Sequence, residues 1–300
     1  MKRPALSALC ALLAALSSFA APAPDPLPDT PFPAAEGSDA VLLRYVFPAG
    51  RSIGFKADMS STTVVTQQDA RMEIAMNFLF EGRYRFRKTM PDGSGDMEFR
   101  FTRLRMEMNW PQTMIADTKR GAGRDDPTSK TVAEGLAPFI GPSFSFRMSP
   151  RGQLLGCNMD LIVAAFAASA SPEMAAQIAA QTKTLIEKSF IPLPEKPVRR
   201  GEVYPAGRIE NAGDGAAIAM DVEYKVLSVS ADGQFVILQP VVRISSTDPA
   251  TELKSSDLNG WILYDARKGF PSRSKAYTKL VLSMNGIPAE VEATVGCVFK

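Results

Sequence analysis

The feature that most constrains the fold is an alternation of apolar and polar residues with a period of two, which begins near Val41. Such alternation places successive side chains on opposite faces and predicts β-strands with one buried face. Two blocks, 41–156 and 192–300, carry the pattern and flank one helical block, 157–191. The sequence therefore predicts a mainly β protein with one helical insertion, as a strongly curved antiparallel sheet or an incomplete barrel that is covered by a helix.

Turn residues divide the first β half into strands. Pro91–Gly95 and Ser149–Gly152 contain proline and glycine between alternating runs and predict hairpins. The polar stretch 111–135 is predicted to be a long loop. The predicted strands of this half cover residues 41–47, 52–66, 70–88, a return strand after residue 95, and a hairpin over 143–155.

The return strand changes phase partway along its length. Its inward residues stand at odd positions first and at even positions afterwards. One extra residue near Thr102 or Arg103 produces such a change, so a β-bulge is predicted there.

The inward face of the same strand is rich in methionine and phenylalanine. Methionine adapts to irregular shapes, so this face beside an Ala-rich helix can form an apolar pocket. It can equally be an ordinary core, and both interpretations stay open. The candidate ligand-binding residues are Met97, Phe99, Phe101, Met106 and Met108.

The helical block carries two start signals. Asn158 or Asp160 can cap a helix over 161–170, and Ser171 before Pro172 can begin another. An apolar stripe at helical spacing follows, which gives this block a face to lay on the sheet.

The second β half repeats the alternation. Asn285-Gly286 between alternating runs is the strongest short hairpin signal in the chain. The predicted strands cover about residues 202–209, 217–229, 234–246, 260–266, 272–284 and 288–299.

A short internal similarity raises the hypothesis that the two β halves are duplicated. Phe47-Pro48-Ala49-Gly50-Arg51 resembles Tyr204-Pro205-Ala206-Gly207-Arg208, and each stands before similar strand and hairpin signals.

Arg83, Arg85 and Arg87 share one face of a predicted strand. They form a candidate anion-binding site. The alternative is a solvated outer face that Glu98 partly neutralises, because one face of such a sheet has to be polar.

The chain has no histidine and few cysteines. It therefore lacks the Ser-His-Asp and Cys-His nucleophile systems and the commonest ligand of transition metals. No catalytic set, metal site or cofactor is predicted, although a hydrolase that uses two carboxylates stays an alternative. Cys157 and Cys297 can form one disulfide in an oxidising compartment, or remain as two buried thiols.

The N-terminus predicts export. Residues 1–21 combine Lys2 and Arg3, an apolar run and a small-residue cleavage site, as in a signal peptide. Leu9 makes lipidation at Cys10 unexpected, and a Pro-rich linker covers 22–40. The predicted location is periplasmic or extracellular.

Net charge and hydropathy limit the kinds of partner that this chain is expected to have. The net charge of +2 does not favour nucleic acid. After signal removal no apolar run reaches the roughly 18 residues of a membrane span.

Two short patterns add a resemblance. Leu43-Arg44-Tyr45-Val46-Phe47 and the hairpin Ser149-Pro150-Arg151-Gly152 resemble patterns of exported bacterial β-rich proteins of unassigned activity. The layout also resembles the periplasmic lipoprotein-carrier family, whose half-barrels shelter acyl chains under helices. The Met- and Phe-rich strand faces beside an Ala-rich helix favour a non-enzymatic exported protein that binds a lipid or another apolar or amphipathic small molecule in the hollow of its sheet. An envelope structural or protein-interaction domain is the alternative.

Overall fold

A computed structural model describes residues 40–67, 70–109, 112–119, 127–167, 182–183, 186–187, 189–211 and 218–300. The predicted signal peptide 1–21 with Cys10, nearly all of the linker 22–40, and the middle of the predicted helical block lie outside these residues.

Twelve antiparallel strands form a single curved sheet that does not close into a barrel. The strands are β1 (Ser52–Gln67), β2 (Ala70–Thr89), β3 (Gly95–Asn109), β4 (Thr113–Asp117), β5 (Ser143–Met148), β6 (Leu154–Asn158), β7 (Val203–Asn211), β8 (Ile218–Val229), β9 (Phe235–Ser246), β10 (Thr251–Asp265), β11 (Phe270–Met284) and β12 (Ile287–Phe299). Their order is β6-β5-β3-β2-β1-β12-β11-β10-β9-β8-β7, and β4 pairs with β3 beside β5. The fold is therefore the mainly β, curved antiparallel sheet that the alternation predicted.

The described helices are short. Helix α1 spans Pro127–Leu136 and is followed by a 3-10 turn over Ala137–Phe139, and α2 spans Asp160–Ala167. Described residues between 182 and 192, called the cover segment below, lie against the sheet: Ile186 and Phe190 are buried in its core.

The alternation separates an inner face from an outer face. On β1, Ala57, Met59 and Ser61 are buried, whereas Asp58 and Ser60 between them are exposed. This first strand pairs with the last strand, β12, over most of its length. The two β halves consequently share one continuous hydrophobic core.

Two local predictions are confirmed by the backbone. The register between β2 and β3 passes from Glu81↔Arg103 to Gly82↔Phe101, so Thr102 is the extra residue of a bulge. Asn285 and Gly286 have φ values of 51° and 78°, as a two-residue turn between β11 and β12 requires.

The prediction of a strand over 41–47 is wrong. The burial alternates there as expected, but the backbone N–H groups bond to turns instead of to a neighbouring strand. Tyr45 N donates to the Pro150 carbonyl at 2.8 Å, and Val46 N donates to the Gly269 carbonyl at 3.2 Å. Residues 41–50, called the crossing segment below, therefore run across one end of the sheet and join its hairpin turns.

The prediction of one long loop over 111–135 is also wrong. Its first part pairs with β3 as β4, where Met114 and Ala116 are buried. Helix α1 then packs on β4, and the buried Ser129 hydroxyl accepts a hydrogen bond from Ile115 N at 3.0 Å. The alternating run of β4 is short and lies within a polar stretch, so the sequence pattern did not reveal this strand.

Candidate functional site

A cavity of about 430 Å³ lies between the inner face of the sheet and the cover segment. Strands from both β halves line it, including β1, β2 and β3 on one side and β7, β8 and β10 on the other. Its wall is mostly apolar, and it lies within the size range of ordinary small-molecule sites.

Aromatic rings form the part of the wall that belongs to the first β half. The Tyr84 and Phe99 rings lie 4.6 Å apart between centroids, and the Phe99 and Phe144 rings lie 5.2 Å apart. A Cβ at Gly82 would approach the Phe99 ring to 2.5 Å. The absence of a side chain at Gly82 therefore allows Phe99 to lie where it does, and the sequence did not reveal this dependence.

Four of the described lining residues are exposed to solvent. They are Glu187 and Ser189 of the cover segment and Gly207 and Arg208 of β7. Arg208 also reaches Asp221 on β8 at 3.3 Å. The mouth, defined by residues 187, 189, 207 and 208, thus carries both signs of charge beside an edge strand.

Another part of the cavity wall lies on the central strands of the sheet. Met59, Ala276 and Val295 line the cavity there, in one row across β1, β12 and β11. The next row, about 7 Å further along the strands, contains Ser61 and Thr278, which are buried and do not line the cavity. On these three strands the cavity therefore extends no further than the Met59 row, and the half-buried Lys275 next to Ala276 also lines it.

Burial raises the pKa of two tyrosines and one cysteine in the wall. Desolvation raises the pKa of Tyr84 and of Tyr224. Desolvation likewise raises the pKa of the Cys297 thiol to about 11, although a hydrogen bond with Ser274 opposes the shift. At neutral pH this thiol is protonated and is a poor nucleophile. Among the described lining residues, Glu187 is the only carboxylate.

The structure divides the five predicted ligand-binding residues. Phe99 and Phe101 line the cavity. Met97 is fully buried in the core, and Met106 and Met108 are half-buried on the inner face beyond the described lining. All five face inward, and a role for any of them in binding stays a prediction.

The predicted anion site lies on the outer face. Arg83, Arg85 and Arg87 are all exposed, and Arg87 forms an ion pair with Glu98 at 2.5 Å. This partial neutralisation is the one that the solvated-face alternative describes, and anion binding stays a prediction.

The candidate disulfide is absent from the structure, where Cys157 and Cys297 are both free thiols. Cys157 lies on β6 at one sheet edge, and Cys297 lies on β12. Strands β5, β3, β2 and β1 separate them in the sheet. The Cys157 thiol instead contacts the Met159 sulfur at 3.4 Å.

Sequence reasoning missed the wall that the second β half provides. Val222 and Tyr224 of β8 and Ile262 of β10 line the cavity, as do Ile186 and Phe190 of the cover segment. In the predicted strand 217–229 the even-numbered residues are the inward ones, and this alternation indicated that Val222 and Tyr224 face inward. No local pattern showed that this strand faces Phe99 across a hollow.

No protein-family model matches the sequence, and no curated protein matches it. Several solved structures resemble the fold. A lipovitellin structure, described in terms of lipid–protein interactions, is 10% identical, with a TM-score of 0.45; the match covers 85% of this chain and 25% of that one. This chain thus spans about a quarter of the lipovitellin chain.

Two bacterial structures resemble the fold at lower scores. An outer membrane channel from Pseudomonas putida is 9% identical over 89% of this chain and 100% of that one, with a TM-score of 0.23. A putative outer membrane lipoprotein-sorting protein domain from Vibrio parahaemolyticus is 7% identical over 82% of this chain and 85% of that one, with a TM-score of 0.15. Similarity at this level does not assign a function, which has to be argued from the residues of this chain.

Two features are absent from the residues that the structure describes. Within these ranges, no helix combines the length and the apolar composition that crossing a membrane requires. The same residues contain no group of three or more Cys, Asp or Glu side chains arranged to hold a metal ion.

Proposed function

We propose that this protein is an exported, non-enzymatic carrier or receptor that binds an apolar or amphipathic molecule in the hollow of its sheet. The observation that carries the proposal is the cavity of about 430 Å³ with a mainly apolar wall. Binding of an apolar ligand to an apolar wall is favourable by roughly 0.8 kcal/mol for each methylene group that is removed from water. The predicted signal peptide supplies the export part of the proposal.

The wall favours binding over catalysis. Hydrolysis by paired carboxylates needs two such groups facing each other across the substrate. Glu187 is the only carboxylate among the described lining residues. The Cys297 thiol stays protonated at neutral pH. The wall provides mainly aromatic and aliphatic surface that an apolar ligand can contact.

A fluorescent fatty acid tests this proposal. We expect delipidated protein to bind cis-parinaric acid saturably, with one molecule per chain and enhanced probe emission. Ala57 is buried on the cavity wall, so Ala57→Phe should weaken probe binding at least about tenfold by filling the hollow. Native mass spectrometry of protein purified without delipidation should show a bound lipid.

Ala75→Phe provides the matched control. Ala75 is half-buried and lies on the outer face of neighbouring β2, where its neighbour Ile74 is the buried residue. This variant adds the same ring outside the cavity and should bind the probe like the wild type. Equal binding by the two variants, or no saturable binding by folded wild-type protein, contradicts the proposal.

A further inference from the structure

Three exposed arginines on the outer face of the first β half have no partner of opposite charge among the residues described. They are Arg83 and Arg85 of β2 and Arg100 of β3, called the arginine cluster below. We infer that the arginine cluster binds the phosphate groups of an anionic lipid bilayer. None of the three residues lines the cavity, so this inference does not depend on the proposed function.

The strand register brings the arginine cluster together. Arg83 and Arg100 are direct partners across β2 and β3, so their Cβ atoms lie about 5 Å apart. Arg85 follows on the same face of β2, about 7 Å along the strand. Like charges in directly opposite positions destabilise a sheet. The fold therefore bears an electrostatic cost at this place, which a bound anion would remove.

The carboxylates nearest to the arginine cluster on this face are already engaged. Glu98 stands opposite Arg85, but it forms an ion pair with Arg87 at 2.5 Å. Glu81 lies 3.9 Å from Arg103. Arg87 is therefore left out of the cluster, although the sequence pattern grouped it there. The third member comes from the neighbouring strand instead, where alternation along one strand gave no sign of it.

Small residues flank the arginine cluster on both sides. Two rows of paired residues cross β1, β2, β3 and β5 here, and each row ends in a glycine or a serine. Gly54 and Ser143 end the row of Arg83 and Arg100, and Ser52 and Ser145 end the row of Arg85. These four positions add no bulky side chain that would keep a flat surface away, and the serine hydroxyls can donate further hydrogen bonds to phosphate oxygens.

A bilayer suits three exposed guanidinium groups better than a single phosphate ion does. A solvent-exposed ion pair is weak and is screened by salt. An anionic bilayer presents many phosphates at once and attracts each arginine that lies near its surface. Single-stranded nucleic acid also carries phosphates, but the two rows contain no aromatic side chain on which a base can stack. The observations therefore favour the lipid surface.

Co-sedimentation with vesicles tests the inference. The folded protein is mixed at low salt with vesicles of phosphatidylcholine, or with vesicles that contain about one-third phosphatidylglycerol in addition. We expect binding to the anionic vesicles only, and release at high salt. Arg83→Gln and Arg100→Gln should each weaken this binding about fivefold, and the double variant about 25-fold.

Arg273→Gln provides the matched control. Arg273 of β11 is also exposed and without an ion pair among the described residues, but it pairs in the sheet with Leu263 and Val298 instead of with another arginine. This variant removes the same charge and should change vesicle binding less than about twofold. Equal losses for Arg273→Gln and Arg83→Gln overturn the inference, because net charge alone then explains the binding.

Two other outcomes also overturn the inference. Equal binding of the wild type to neutral and anionic vesicles shows that the arginine charges are not involved. If inorganic phosphate or an oligothymidylate binds in a way that needs Arg83 and Arg100, while anionic vesicles do not bind, the site belongs to a soluble phosphate or to nucleic acid instead.

Urea unfolding separates a loss of binding from a loss of folding. Arg100→Gln removes one of two like charges that face each other, so it should leave the free energy of unfolding unchanged or raise it. Weaker vesicle binding by this stable variant then reports on the site itself. A lower free energy of unfolding would contradict the repulsion on which the inference depends.

Discussion

The two Pro-Ala-Gly-Arg segments have the same local sequence but different surroundings. In the first, Phe47 is buried at the end of the sheet that the crossing segment covers, called the closed end below. The carbonyl of Arg51 accepts a hydrogen bond from Phe86 N at 2.9 Å there. This segment leads into β1, which lies in the middle of the sheet. In the second, Ala206 is the bulged residue of the edge strand β7, and Arg208 lies at the mouth.

This contrast shows how tertiary partners determine what a short sequence does. The first copy, within the crossing segment, joins turns at one end of the sheet, and the second lines the entrance to the cavity. The strand order is compatible with the duplication hypothesis, because each half runs from its last strand to its first in the same direction along the sheet. On that hypothesis, one half kept the structural role and the other contributes the entrance.

Disrupting the closed end should have the largest effect. Gly152 has a φ of 83°, and a Cβ there would lie 2.6 Å from the Ile191 carbonyl oxygen and 2.7 Å from a Tyr45 ring carbon. Gly152→Ala should lower the free energy of unfolding by roughly 2 to 4 kcal/mol, because overpacking adds to the strain of the left-handed conformation. Urea unfolding measures the difference.

Gly286→Ala separates these two contributions. Gly286 has a similar φ of 78°, but nothing lies within 4 Å of its Cβ position. This variant should cost only about 1 to 2 kcal/mol, which is the conformational strain alone. Equal losses for the two variants would show that the contact between Gly152 and the Ile191–Tyr45 pair does not hold the closed end together.

An Arg–Asp pair in each half gives a second comparison. In the first half, Arg103 donates two hydrogen bonds to Asp117, at 3.0 and 2.7 Å, and the Asp117 side chain is only 5% exposed. In the second half, Arg208 and Asp221 are 47% and 45% exposed. Asp117→Asn should cost about 1.5 to 3 kcal/mol, and Asp221→Asn at most about 1 kcal/mol.

The Asp117 effect should also depend on pH with a definite sign. The hydrogen bonds from Arg103 lower the pKa of the Asp117 carboxyl below its ordinary value of 3.8. Its contribution to stability is therefore present above that ordinary value and is lost as the pH falls through the lowered value. The stability difference between wild type and Asp117→Asn should be constant near neutral pH and shrink below about pH 4. A difference that persists unchanged at pH 2 would contradict this assignment.

Local sequence signals predicted most of the strands. They failed where the conformation of a segment depends on residues that are distant in the sequence. The alternation and its phase change predicted a bulge near Thr102 or Arg103, because a period of two records directly which face is buried. The structure has this bulge at Thr102. The same alternation in residues 41–47 was misleading, since it cannot show whether an extended segment pairs with a strand or with turns. The mouth was not predicted because Glu187 and Arg208 lie on separate elements, and no local pattern relates these two residues.

The smallest effect on stability should come from the entrance, where the two segments can be compared at one position. Ala206 is half-buried and lines the cavity beside the mouth, whereas Ala49 is exposed in the turn before β1. Ala206→Trp should narrow the opening and slow the association of cis-parinaric acid severalfold in stopped-flow fluorescence. Its free energy of unfolding should change by less than about 1 kcal/mol, because a bulged edge residue can shift without disturbing the core.

Ala49→Trp adds the same indole to the other segment and should leave the association rate unchanged. If both variants slow association equally, the probe does not enter between the cover segment and β7, and the different roles assigned to the two segments are wrong. If only Ala206→Trp slows it, the entrance lies beside the bulged edge strand. The similarity of the two sequences makes this pair informative, because the added side chain is the same and only its place in the fold differs.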